Sequence, residues 1–104
     1  MLNDSETLAA VQAAVEKLGE LGSADAIARL LAREGIRGAR GLSAICPLAV
    51  YLSRVVGKPV TVGMTSWYIN DEFGGDLPDA VVDFIAAFDD DGAYPELVHI
   101  EGRA

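Results

Sequence analysis

The sequence is short of the residues from which disulfides and metal sites are built. Its one cysteine, Cys46, cannot form an internal disulfide, which excludes a disulfide scaffold and favours a reducing compartment. A structural zinc ion needs four ligands, and Cys46 with the one histidine, His99, falls short of that number. No apolar run approaches the roughly 18 residues of a membrane span, and the acidic N-terminal segment does not resemble a secretion signal. We therefore expect a cytoplasmic protein with no metal and no membrane anchor.

Positive charge is also scarce. Eight Lys and Arg residues stand against 16 Asp and Glu residues, and the formal net charge is −8 at pH 7. Such a surface repels phosphate backbones and anionic lipids, which argues against generic binding to nucleic acid or membranes. The basic residues are concentrated between residues 35 and 63, whereas residues 64–104 are strongly acidic. The two segments are expected to attract each other, within one chain or across a dimer.

Apolar residues at helical spacing predict two helices in the first third of the chain. Ser23 is suited to cap the second of them, and Gly35 would end it. The first helix should end near Gly19, and its apolar stripe consists of Leu8, Val11, Val15 and Leu18.

The segment GLSAICPLAVYLSRVVG predicts a third, central helix. Pro47 fits the first helical position, where its missing N–H is not needed, so the helix should begin at Cys46, with Ser43 as a competing cap. An apolar stripe faces the core, and Gly57 ends the helix.

After the third helix the apolar pattern changes to a period of two. Alternation predicts short strands over residues 60–62 and 67–69, joined as a hairpin. Residues 70–76 contain two adjacent glycines and are expected to form a loop with Phe73 as its apolar anchor. Pro78 then opens a last helix, whose buried face should carry Val81, Phe84, Ile85 and Phe88.

This order of elements predicts one α+β domain over residues 1–104. It is a small, mostly helical domain with three helices, a short β-hairpin and a C-terminal helix. The order is also compatible with a winged helix-turn-helix, in which residues 46–56 would be the recognition helix. The exposed side of that helix would offer mainly Ser53 and Arg54, with Lys58 beyond its end, which is a thin set for phosphate and base contacts.

Two glycine- or acid-rich motifs resemble ligand loops without meeting their requirements. GIRGARG lacks the spacing and the Gly-Lys-Ser/Thr ending of a phosphate-binding loop. In the run DDDG, the register of a calcium loop would place Ala87 and Val98 at ligand positions, and neither can serve. We therefore expect no cofactor.

Cys46 admits two interpretations. A thiol at a helix N-terminus has a lowered pKa and can be a nucleophile, but it also needs a base, and His99 is distant in the sequence. Alternatively, Cys46 is a small buried apolar residue, a role in which cysteine is common. We favour burial and keep Cys46 as a weak catalytic candidate.

The predicted partner-binding residues are basic or aromatic. Trp67 and Tyr68 are adjacent on a strand and point to opposite faces, so only one of them is expected in the core. Tyr94 adds an aromatic side chain near the C-terminus, and Tyr and Trp are enriched at protein interfaces. We expect the working surface to lie beside Arg54 and Lys58.

Two segments of the chain resemble a group of short uncharacterised proteins from actinobacteria and their phages. The likeness covers roughly residues 23 to 98 and implies a cytoplasmic setting in such a host, without an activity or a catalytic residue. It is carried first by Cys46, Pro47, Leu48, Ala49, Tyr51 and Leu52, and then by Leu77, Pro78, Phe88, Asp89, Tyr94, Pro95, Glu96 and Leu97.

Taken together, these observations favour a non-enzymatic protein-interaction or regulatory domain that binds a protein partner or forms a homodimer. Its contact surfaces are expected on the third helix, the hairpin and the acidic last helix. A winged-helix nucleic-acid-binding regulator is the first alternative. A Cys-dependent enzyme or thiol sensor is the second.

Overall fold

A computed structural model describes residues 4–42, 44–70 and 72–98. Ser43 and His99, considered above as a cap and as a base, lie outside the described residues. Within these ranges, four helices and a three-stranded antiparallel sheet confirm the predicted α+β class. In chain order the elements are α1 (Asp4–Glu20), α2 (Ala24–Arg33), α3 (Pro47–Val56), β1 (Val60–Val62), β2 (Ser66–Ile69), β3 (Glu72–Asp76), α4 (Asp79–Asp90) and one turn of 3-10 helix (Pro95–Leu97).

The predicted caps of α2 and α3 are confirmed. Ser23 Oγ accepts a hydrogen bond of 3.1 Å from the backbone N–H of Ala26. Cys46 is the N-cap of α3, with Pro47 in the first turn. Gly57 ends α3 at a φ of +72°, a conformation that costs glycine little and other residues more.

The buried stripe of α1 differs from the prediction at one position. Val11, Val15 and Leu18 are buried as expected, but Leu8 is 42% exposed. Thr7, four residues before Val11, is buried in its place. At the start of the helix the buried face therefore includes Thr7 in place of Leu8, and the prediction that Leu8 lies in the core was wrong.

The sheet has the order β1-β2-β3, with both pairs antiparallel. The predicted hairpin of β1 and β2 is confirmed, but the segment expected to be a loop contains β3, which pairs with the other edge of β2. Phe73 does not anchor the segment inwards, since it is 62% exposed and packs edge-on against Tyr68 with ring centroids 6.1 Å apart.

Trp67 explains why two glycines belong in β3. Its side chain is 1% exposed, and the register of β2 and β3 shifts between Trp67 and Tyr68, so that Gly74 lies against the indole ring. A Cβ on Gly74 would lie 2.7 Å from Cη2 of Trp67 and closer still to Cζ3 and Cε3. The indole N–H has no hydrogen-bond partner among the described residues.

One hydrophobic core takes side chains from the helices and the sheet. The sheet meets α3 through β1 and α1 through β3, while α2 packs on α4. The predicted buried face of α4 is confirmed at all four positions. Within the described part of the chain, none of the helices combines the length and the hydropathy needed to cross a membrane. The largest fully buried side chains are Trp67, Phe84, Phe88, Leu18, Ile27, Leu31, Ile36, Leu48, Leu52, Leu97, Val11 and Val15.

Candidate functional site

Arg40 binds the C-terminal end of α4. Its guanidinium donates hydrogen bonds to the carbonyl oxygens of Phe88, of Ala93 at 2.9 Å and of Gly92 at 3.2 Å. The guanidinium carbon also lies 4.4 Å from the centre of the Phe88 ring. The last carbonyls of a helix lack intrahelical partners and carry partial negative charge, so a cation there is favourable. Arg40 thus supplies the positive charge that α4 lacks in its own last turn.

A second contact holds the loop that carries Arg40 against α4. The backbone N–H of Gly41 donates to Oδ1 of Asp89 at 2.9 Å. Together with Arg40, this bond holds the loop before α3 against α4. The basic segment therefore contacts the acidic segment within one chain, through carbonyl oxygens at the end of α4 and the Asp89 carboxylate.

A groove opens where this loop meets α4 and the turn between β1 and β2. It consists of two adjoining cavities of about 130 and 350 Å³, which share Gly41, Met64, Ile85 and Asp89 among their lining residues. We call it the α4 groove and define it by Leu42, Met64, Val82, Ile85, Asp89 and Asp90.

The sides of the α4 groove are apolar and open to solvent. Met64 is 75% exposed and Leu42 is 54% exposed, although both are large hydrophobic residues. Single exposed apolar side chains are ordinary, but a group of them around a concavity is typical of a contact surface. At the C-terminal end of α4, Asp89 and Asp90 add carboxylates to the rim.

Cys46 lies at the inner end of the groove and is buried. Burial raises the pKa of the Cys46 thiol above its usual value, although the amides of Ala49 and Leu48 act in the opposite direction and Asp89 adds to the rise. Its Sγ accepts a hydrogen bond of 3.4 Å from the Ala49 N–H. The thiol is therefore protonated at neutral pH and caps α3, which supports the structural interpretation of Cys46.

A test of that interpretation is the rate of alkylation of Cys46. We expect iodoacetamide at neutral pH to modify the folded protein at least about tenfold more slowly than the urea-unfolded chain, because the thiol is buried and protonated. The double variant Cys46→Ala/Val55→Cys, with a thiol at an exposed position of α3, provides the control and should react at the unfolded rate. Faster reaction of folded wild type than of unfolded chain would contradict the structural role and support a thiol-dependent function.

Arg54 and Lys58 lie at the opposite end of α3 from Cys46. Arg54 is exposed in the last turn, and Lys58 is half-buried beyond Gly57. Neither residue lines the α4 groove. Arg54 and Val55 are the only residues of α3 that are exposed rather than half-buried or buried, which leaves little with which a recognition helix could contact DNA.

The three aromatic candidates have different surroundings. Trp67 lies in the core, where a partner cannot contact its side chain. Tyr68 is half-buried on the other face of the sheet. Tyr94 stacks on Phe84 with ring centroids 5.4 Å apart, and its hydroxyl donates to Oδ1 of Asp25 at 2.6 Å. Tyr94 thus ties the segment after α4 to α2.

The Tyr94 contact predicts a fall in stability at alkaline pH. Partial burial and the hydrogen bond to Asp25 raise the pKa of Tyr94 to about 12. Because the pKa in the folded state is above the unfolded value of about 10, this contribution to stability is complete below about pH 10 and is lost towards pH 12.

Urea unfolding followed from neutral pH to pH 12 tests this prediction. The Tyr94→Phe variant should lose less stability than wild type over that range. Ultraviolet titration of tyrosinate should show a component near pH 12 that is absent from Tyr94→Phe and shifted down in Asp25→Asn. Identical pH profiles for wild type and Tyr94→Phe would contradict the contact.

Arg40 and the loop of Leu42 were not predicted as functional from the sequence, which, among the elements of the groove, indicated only the hairpin and the last helix as parts of a contact surface. A signal was present, because Asp89 to Asp91 place three acids at a helix C-terminus, where they are unfavourable without a cation. Which arginine meets that end depends on contacts between residues 48 to 53 positions apart in sequence. Leu42 and Met64 gave no periodic signal, since both lie between elements.

The described residues form no metal-binding cluster, and the chain has no match among the known proteins compared with it. No group of three or more His, Cys, Asp or Glu residues among the described residues is arranged to hold a metal ion. Comparisons of the chain with protein-family models, with curated proteins and with solved structures find no match.

Proposed function

We propose that this protein is a non-enzymatic interaction domain of a regulatory kind, which holds a partner protein in the α4 groove. The observation that carries the proposal is the open apolar groove between the loop of Leu42, the turn of Met64 and α4, with carboxylates at one end. Grooves beside a helix are a common site for protein segments.

The proposal places the contact surface away from Arg54 and Lys58. Those residues do not line the α4 groove, whereas the groove offers exposed apolar side chains that a partner would bury. The resemblance to short actinobacterial and phage proteins supplies a setting for the proposal, the cytoplasm of a bacterial cell.

Site-specific photo-crosslinking in cells of the native host tests the proposal. A photoreactive phenylalanine analogue is introduced at Met64, in the groove, and separately at Arg33, an exposed position at the end of α2. We expect one defined adduct from position 64 and none from position 33. Replacing Leu42 with serine should reduce the adduct, because that change removes apolar area from the groove.

Mass spectrometry of the adduct identifies what occupies the groove. A peptide from a different protein would support the proposal, and a peptide of this chain would show self-association through the same face. Adducts of equal yield from both positions, or none from position 64, would overturn it.

A further inference from the structure

We infer that the segment held in the α4 groove is a basic amphipathic helix of another protein. Its apolar side chains would lie along Met64, Val82 and Ile85, and its Lys or Arg side chains would meet Asp89 and Asp90. This inference rests on the proposed function and names the partner class of the same site.

The apolar part of the groove sets the first requirement on the partner. Leu42 and Met64 line the groove from the loop and the turn, and Val82 and Ile85 line it from α4, so an occupant that follows the groove needs apolar side chains in a row. Spacing of three and four residues on a helix supplies such a row, and helix-in-groove binding uses it. The adjoining cavities extend from Cys46 to Val82, which provides space for more than one anchoring side chain.

The charge at one end of the groove sets the second requirement. Asp89, Asp90 and Asp91 follow one another at the C-terminus of α4, where the helix carbonyls add partial negative charge. Arg40 offsets one of these charges, and its guanidinium is already bound to three carbonyl oxygens. A negative rim therefore remains, and basic side chains on the partner complement it.

A second copy of this chain meets those requirements poorly. The protein carries a net charge of −8, and two copies joined through their α4 grooves would bring the same carboxylates together. The basic end of α3 could enter the groove of another copy instead. However, Lys58 already has an interaction of its own, which leaves Arg54 as the exposed cation there.

The probes that test the inference are two synthetic peptides with the same apolar spacing. The fluorescently labelled peptide LKKLLKLLKKLLKL is basic and amphipathic, and LEELLELLEELLEL is its acidic counterpart. Binding to the full-length protein is measured by anisotropy at physiological salt. We expect the basic peptide to bind and the acidic peptide not to bind.

Two double variants distinguish binding in the groove from general electrostatic attraction between a basic peptide and an acidic protein. Asp89→Asn/Asp90→Asn removes the groove carboxylates and leaves an oxygen at position 89 to accept from Gly41. Glu20→Gln/Glu34→Gln removes two exposed carboxylates elsewhere and gives the same net charge. We expect the first pair to raise the Kd at least about tenfold and the second less than about threefold. Thermal melts of both variants establish that they fold.

The outcomes distinguish the inference about the basic helix from the proposal that the α4 groove binds a protein. Equal effects of the two pairs, or no binding of the basic peptide, would overturn the inference. If the acidic peptide binds as well as the basic one, and Met64→Gln weakens both, the inference fails while the proposed function stands. If photo-crosslinking from position 64 fails as well, both fail.

Discussion

Replacing Gly74 with alanine is expected to destabilise the protein by about 3 kcal/mol, which corresponds to a fall in Tm of roughly 12–24 °C for a domain of this size. The added methyl group would lie 2.7 Å from Cη2 of Trp67 and closer to two other ring carbons. The indole is 1% exposed and packed on all sides, so it cannot move aside without disturbing the core. Thermal or urea unfolding, followed by the fluorescence of this single tryptophan, measures the loss.

Gly63→Ala is the matched control for Gly74→Ala. A Cβ on Gly63 would meet its nearest atoms at 3.5 and 3.6 Å, which are ordinary contacts, so we expect a change within about 1 kcal/mol of wild type. Combining Gly74→Ala with Trp67→Leu should cost less than the sum of the two single changes, because the smaller side chain removes the overlap. Additive losses, or wild-type stability of Gly74→Ala, would contradict the packing of Trp67 on β3.

Replacing Arg40 with glutamine is expected to cost about 2–3 kcal/mol. Arg40 donates hydrogen bonds to the carbonyl oxygens of Phe88, Gly92 and Ala93, and its guanidinium lies over the Phe88 ring. Glutamine keeps part of the side-chain volume but loses the charge and most of the donors. Urea unfolding measures the loss.

The variants Arg37→Gln and Arg40→Lys show whether the loss of stability depends on the position of the arginine and on the geometry of its guanidinium. Arg37 is an exposed arginine in the same loop, so its replacement should change stability by less than about 0.5 kcal/mol. Lysine at position 40 keeps the charge but lacks the planar guanidinium that donates to three carbonyl oxygens. The Arg40→Lys variant should therefore lose less stability than Arg40→Gln and more than Arg37→Gln. Equal stability of the Arg37 and Arg40 variants would show that Arg40 does not hold α4.

Local chemistry explains which elements the sequence predicts correctly. Ser23, Pro47 and Gly57 act through their own backbone or the next turn, so the boundaries of α2 and α3 follow from single residues. The alternation of β1 and β2 and the helical stripe of α4 are likewise visible over short windows.

Tertiary contacts explain what the sequence did not predict. Gly74 and Gly75 lower the strand propensity of β3, and they are present because the indole of a neighbouring strand lies on them. Leu8 fits the periodicity of α1 as well as Thr7 does, and only the packing of the helix decides between them. Neither effect is encoded within the segment concerned.

The predicted contact residues and the α4 groove differ for a related reason. The prediction chose residues by type, which indicates what a surface can bind but not which residues share one surface; it named Arg54, Lys58, Trp67, Tyr68 and Tyr94. The α4 groove combines three stretches of chain around residues 41–42, 63–65 and 82–90, which only the fold brings together. Its carboxylate end was visible in the sequence as an acidic run, and its apolar walls were not.

We propose that docking of the Arg40 loop on α4 creates a binding groove, and a two-dimensional NMR titration can locate the bound peptide. Backbone amide signals of the isotope-labelled wild-type protein are followed while the peptide LKKLLKLLKKLLKL is added at physiological salt. We predict saturable shifts concentrated at residues 41–42, 63–65 and 82–90. Shifts concentrated at residues 54–58, or spread evenly over the acidic surface, would contradict the claim.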